Sequence, residues 1–183
     1  MRNLLLILLV LFPLWGLGGC KNDDDNPTNP IDQLPQATQT GANTVGCLVN
    51  GNVYLPSKRG LNSPVNCFYQ FDNGEFFFTM GFSDDVNFGP TVFFQTKRIT
   101  LIEGQSYILS KNMIDDADFT GGGGMYWLDI EKISYTNTIK TGELKITRID
   151  LQNSIISGTF WFDAVNEEGE IVEIREGRFD WNY

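Results

Sequence analysis

The stretch that decides the fold is ISGTFWFDAVNEEGEIVEIREGRFDWNY, residues 156–183. Over Ile156–Val165, the residues Ile156, Gly158, Phe160, Phe162 and Ala164 fall on one side of an extended chain. Ser157, Thr159, Trp161 and Asp163 fall on the other. That period of two belongs to a half-buried strand. Asn166-Glu167-Glu168-Gly169 then supplies a polar turn, and the chain returns with Val172 and Ile174 inward and Glu173 and Arg175 outward. After Gly177 the parity flips, so that Phe179, Trp181 and Tyr183 become the apolar set. A one-residue change of phase at a glycine predicts either a β-bulge at Gly177 or a new strand opening there.

The same grammar extends upstream. Val45–Val49 and Val53–Leu55 flank Asn50-Gly51-Asn52, and Val65–Phe71 and Glu75–Phe82 flank Asp72-Asn73-Gly74, two hairpins whose Asn-Gly turns supply positive φ. Further strands are predicted at Thr91–Gln95, Arg98–Ile102, Tyr107–Leu109, Met125–Ser134 and Glu143–Asp150, with a turn or short helix at Ser110–Asp118. No window sustains an apolar period of 3.6, so few or no helices are expected beyond the leader. The fold class is all-β: an antiparallel two-sheet β-sandwich of about nine or ten strands, with a lipocalin-like β-barrel as the alternative.

The N-terminus reads as targeting. Arg2 precedes an apolar run from Leu4 to Trp15 that Pro13 interrupts, too short to span a bilayer. Leu17-Gly18-Gly19-Cys20 resembles the lipobox of bacterial lipoproteins, which implies a signal peptide over 1–19 and acylation of Cys20. Residues 20–40 carry three consecutive Asp and several Pro with little to bury. They are expected to form a disordered acidic tether to a single domain over 41–183. Lys21-Asn22-Asp23-Asp24-Asp25 resembles the short signal that sends outer-membrane lipoproteins to the cell surface, the periplasmic face being the alternative.

Composition excludes several functions. The 183 residues contain no histidine, which removes the usual general base, the Ser/His/Asp and Cys/His triads and the commonest zinc ligand. A net charge of -10 argues against nucleic acid as a partner, since a phosphate backbone is gripped by Lys and Arg and repels an acidic surface. Acid pairs such as Asp84/Asp85 and Glu167/Glu168 are the only route to an enzyme, a carboxylate-dependent glycoside hydrolase, and adjacent acids in turns usually face water. Asp115, Asp116 and Asp118 lack the EF-hand spacing and read as a solvated loop. The Gly121–Gly124 run lacks the Lys-Ser/Thr of a phosphate loop and reads as flexible. No catalytic residue, metal ligand or cofactor is assigned. Cys47 and Cys67 are a candidate disulfide closing a loop of about twenty residues, a stabilisation of ~3 kcal/mol, with two buried free thiols as the competing reading.

Thr40–Gly51 (TGANTVGCLVNG), together with Ile156–Phe160 (ISGTF) and Gly177-Arg178-Phe179-Asp180, resembles the opening and closing motifs of a family of small Bacteroidota lipoproteins known only as a domain of unknown function. The resemblance brackets the chain from about Gln36 to Tyr183. It implies an envelope location and an all-β fold, and it carries no activity and no catalytic residue to transfer.

Aromatic residues make up 13% of the chain, and most fall in the strand runs expected to form the core: Phe68, Phe76, Phe78, Phe93, Phe160, Phe162 and Phe179. Trp127 and Trp161 fall on strand faces that are otherwise polar, a placement suited to stacking sugars unless a second sheet covers it. The expected function is a non-enzymatic binding or accessory module of the cell envelope, for a glycan or an envelope protein, reaching the membrane through its N-terminal lipid. The alternative is a structural envelope component without a small ligand.

Overall fold

The computed structural model describes residues 29–57, 63–84, 89–115, 118–129 and 131–183. The alternation becomes eleven strands among them: β1 (Thr44–Val49), β2 (Asn52–Tyr54), β3 (Val65–Asp72), β4 (Glu75–Ser83), β5 (Thr91–Lys97), β6 (Ser106–Leu109), β7 (Gly121–Asp129), β8 (Lys132–Tyr135), β9 (Gly142–Asp150), β10 (Ile155–Val165) and β11 (Ile171–Asn182). The fold is all-β, as the alternation predicts. Both Asn-Gly turns behave as read: Asn50 and Gly51 take φ of 50° and 79°, and Asn73 and Gly74 take 50° and 89°. These left-handed values match the twist of the strands that a two-residue turn joins.

Hydrogen bonds link the strands into one sheet rather than two, in the order β2-β1-β11-β10-β9-β6-β7-β5-β4-β3, with β8 pairing to both β7 and β10. Neighbours run antiparallel except β6 and β7. The sheet doubles back, so that strands far apart in this order meet face to face. The ring of Phe94 (β5) lies 4.3 Å from that of Phe160 (β10), and Phe78 (β4) lies 5.8 Å from Phe179 (β11). Phe78, Phe82, Phe94, Phe160, Phe162 and Phe179 are all buried between the two arms. Each contributes ~1.5–3 kcal/mol of apolar transfer, the dominant favourable contribution to this core. The interior is that of a sandwich, and the hydrogen bonding is that of a single curled sheet.

Four local expectations are corrected. Arg98–Ile102 is not a strand: Arg98 takes φ 59°, and the chain turns there so that Leu101 is buried with its N–H on the Tyr69 hydroxyl. Met125–Ser134 is two strands, β7 and β8, around a turn in which Asp129 Oδ1 accepts from the N–H groups of Glu131 and Lys132. Gly121–Gly124 is not a loop but the start of β7. Its neighbours come too close for side chains: a Cβ would lie 2.8 Å from the Ile108 carbonyl at Gly122, 2.6 Å from the Lys111 carbonyl at Gly123 and 2.9 Å from the Phe162 ring at Gly124. Last, the packed body begins before residue 41. Pro30–Gln33 form a 3-10 turn capped by Asn29, and Leu34 is buried, so the segment assigned to the tether is partly a strap laid on the domain. Within Ser110–Asp118 the described residues form a turn and no helix. Cys20 and the signal-peptide run lie outside the described residues. Among the described residues no helix is long and apolar enough to cross a membrane.

Candidate functional site

The phase change in the last strand is a bulge inside a continuous β11, set slightly earlier than Gly177. Phe160 pairs with Gly177 and Phe162 with Ile174, so Trp161 alone faces both Arg175 and Glu176. Glu176 absorbs the extra residue at φ 54°. Glu176 and Gly177 also lie opposite Cys47, between the Gly46–Arg178 and Leu48–Arg175 pairs, so the bulge bends β11 against both neighbours. Gly177 is required for a different reason, since a Cβ there would lie 2.5 Å from the carbonyl and ring of Phe160.

The bulge positions a side chain. Arg175 lies over the Trp161 indole, 5.6 Å from the ring centroid, where the π-face attracts the guanidinium. Its Nη1 donates to the carbonyls of Phe162 (3.2 Å) and Ile174 (2.9 Å), and its Nη2 to Asp163 Oδ1 (2.6 Å) and Glu173 Oε1 (3.3 Å). The outer face of β10 is uncovered: Thr159 is exposed and Trp161 retains 41% of its surface. Glu143 of β9 pairs with Trp161, and Thr159 pairs with Lys145 and Arg178 on its two sides. Glu143, Thr159 and Trp161 border an open groove of about 490 Å³ with Arg175 and Arg178 along it and Ala37 of the strap contributing to its lining.

The strap is held by a carboxylate that strand alternation alone does not single out. Asp180 of β11 is fully buried. Its Oδ2 accepts from Thr38 Oγ (2.6 Å), the Thr40 N–H (2.9 Å) and the Ala42 N–H (3.0 Å), and its Oδ1 from the Gly41 N–H (2.8 Å) and Ser157 Oγ (2.7 Å). Burial by itself would raise this carboxyl's pKa. The donors, led by Thr38 with Ala42, Ser157 and Thr40, override it and hold the group well below the usual carboxylate range. The three motifs quoted from the sequence, Thr40–Gly51, Ile156–Phe160 and Gly177–Asp180, thus converge on one side chain. A signal was present in the sequence, because Asp is disfavoured in strands and sits here in the middle of an aromatic one.

The remaining sequence candidates lie apart from this groove. Trp127 is partly buried on β7, opposite Thr91 and Ile133, and does not line it. Cys47 and Cys67 are free, buried thiols in β1 and β3, the second of the two readings offered for them. Burial pushes the Cys67 thiol up to about 12 and Cys47 higher still, so neither is poised as a nucleophile. Asp118 pairs with Arg98, which also holds Glu75 at 2.8 Å, and Asp115 accepts from Asn112. Asp85 and Asp116 lie outside the described residues. Among the described residues no group of three or more His, Cys, Asp or Glu is arranged to hold a metal ion.

The structure therefore defines a curled all-β domain with an aromatic groove on one outer face. The chain belongs to the family described as Domain of unknown function (DUF6252), whose profile matches residues 86–180 and ends within β11. No curated protein matches the chain, and no solved structure does.

Proposed function

We propose that this domain is a non-enzymatic binding module of the cell envelope, held to the outer membrane by acylated Cys20 and displayed at the cell surface, and that it takes a glycan in the groove at Trp161. The observation that carries the reading is an indole kept on an uncovered strand face by Arg175, with Glu143, Thr159 and Arg178 around it. A sugar presents apolar C–H faces and polar edges together. An aromatic platform ringed by fixed donors and acceptors complements both at once. The opposing charges bordering the groove favour a neutral glycan over a strongly anionic one. The absence of histidine and the inert thiols support a binding role over catalysis.

The test is tryptophan fluorescence titrated with soluble β-glucan, xylan, mannan and mucin-derived oligosaccharides, on wild type, Trp161→Ala and Trp127→Ala. The reading expects a response to at least one sugar that Trp161→Ala abolishes and Trp127→Ala retains. Silence across the panel, or a response that survives Trp161→Ala, overturns it.

A further inference from the structure

Among the described residues β3 ends the sheet, paired with β4 on one side and with no strand on the other. Its outward backbone groups can be identified. The Ser83 N–H donates to the Pro64 carbonyl, which makes Val65 and Phe82 a non-hydrogen-bonded pair. The ladder alternates from there: Phe68 and Gln70 direct their N–H and C=O groups to β4, whereas Cys67, Tyr69 and Phe71 direct theirs away. Val65 also points away, but Ser63 satisfies it, its hydroxyl accepting from the Val65 N–H at 3.2 Å and donating to the Val65 carbonyl at 2.8 Å. Among the described residues nothing bonds to the outward backbone of Cys67, Tyr69 and Phe71.

This edge lacks the devices that protect the other one. The opposite edge, β2, is three residues long and is followed by Pro56. β3 is eight residues long and carries neither proline nor a charged side chain before Asp72. It also displays two uncovered rings, Phe68 at 51% on the outer face and Phe71 at 62% on the inner parity, past the reach of the core. On a chain of net charge -10, an uncharged strip is where two copies approach with least repulsion.

We propose that β3 pairs antiparallel with β3 of a second copy, with Tyr69 opposite Tyr69 of the partner subunit on a two-fold axis. Tyr69 then exchanges both hydrogen bonds with Tyr69 of the partner subunit, and Cys67 exchanges both with Phe71 of the partner subunit, in each direction. This register uses the whole unpaired row and leaves the Ser63 cap in place. It sets Phe68 beside Gln70 of the partner subunit, brings a strand alongside Phe71, and places Asp72 opposite Asn66 of the partner subunit, so that no like charges meet. One strand from each copy makes a small interface, so the dimer is weak and concentration-dependent.

Amide hydrogen exchange by NMR on the full chain in detergent tests the pairing without any mutation. Raising the protein concentration about a hundredfold should raise the protection of Cys67, Tyr69 and Phe71 by about tenfold, while Phe68 and Gln70, already bonded to β4, stay constant. In parallel, sedimentation should show a dimer growing with concentration that Phe71→Pro abolishes, since proline removes one outward N–H and leaves the β4 ladder untouched. Protection independent of concentration overturns the proposal, as does a chain that sediments as a monomer throughout. A rise confined to other amides does the same, because it places the contact elsewhere.

Discussion

Replacing Asp180 by asparagine isolates the contribution of the buried carboxylate. The amide keeps an oxygen for the Gly41 N–H and Ser157 Oγ. It turns an NH2 toward Thr38 Oγ and the N–H groups of Thr40 and Ala42, all donors within 3.0 Å of the present oxygen. Hydrogen bonds to a charged group contribute ~1.5–3 kcal/mol each. The full sum is not lost, because each strap residue that detaches regains ~1–2 kcal/mol of backbone entropy. The net expectation is a destabilisation of about 3–4 kcal/mol, or a Tm lowered by about 10 °C for a domain of this size. Urea unfolding of wild type and variant measures it, and pH supplies the control. In the folded state the carboxyl titrates below the ~3.9 of an unfolded Asp, so folding favours its ionised form. Its contribution is complete above about pH 5 and is lost as the pH falls through the unfolded value toward the folded one. At pH 3 the gap between wild type and variant should have narrowed by about 1 kcal/mol. A gap below about 1 kcal/mol at neutral pH, or one of equal size at pH 3, would refute the reasoning.

Two further outcomes follow from the packing. Gly177→Ala places a methyl 2.5 Å from the Phe160 carbonyl and ring, and a loss of about 2–3 kcal/mol in urea unfolding is expected; a variant as stable as wild type would mean that β10 and β11 separate more easily than their contacts imply. Cys47 and Cys67 should resist a thiol-specific chromophoric reagent at pH 8 in the native state and react fully in urea, since burial keeps both protonated.

The legible part of this fold was the part written in nearest neighbours. Alternation in Ile156–Val165 and the two Asn-Gly turns depend only on residues within a few positions of one another, and the structure follows both. The exposed Trp161 was legible for the same reason, as an apolar residue at a polar position of its strand. What escaped depends on distant partners. Gly121–Gly124 reads as a loop until Ile108, Lys111 and Phe162 are placed against it. The strap reads as tether because its own composition cannot hold it in place. Its anchor, Asp180, lies about 140 residues away in sequence, at separations of 138 to 142. The choice between one sheet and two turned on how β6, β7 and β8 connect the arms, which no local pattern encodes.

The strap also bears on the order in which the molecule can be completed. Asp180 lies in β11, the last of the described strands, and β1 finds its long pairing partner only there. A chain emerging N-terminus first therefore holds its opening segment unbonded until the last strand arrives. Long-range closures of this kind are slow, and they leave the edge of β1 unpaired in the meantime. β11 acts as a latch, and a chain that loses Asp180 with the strand around it would be released without ever having been locked.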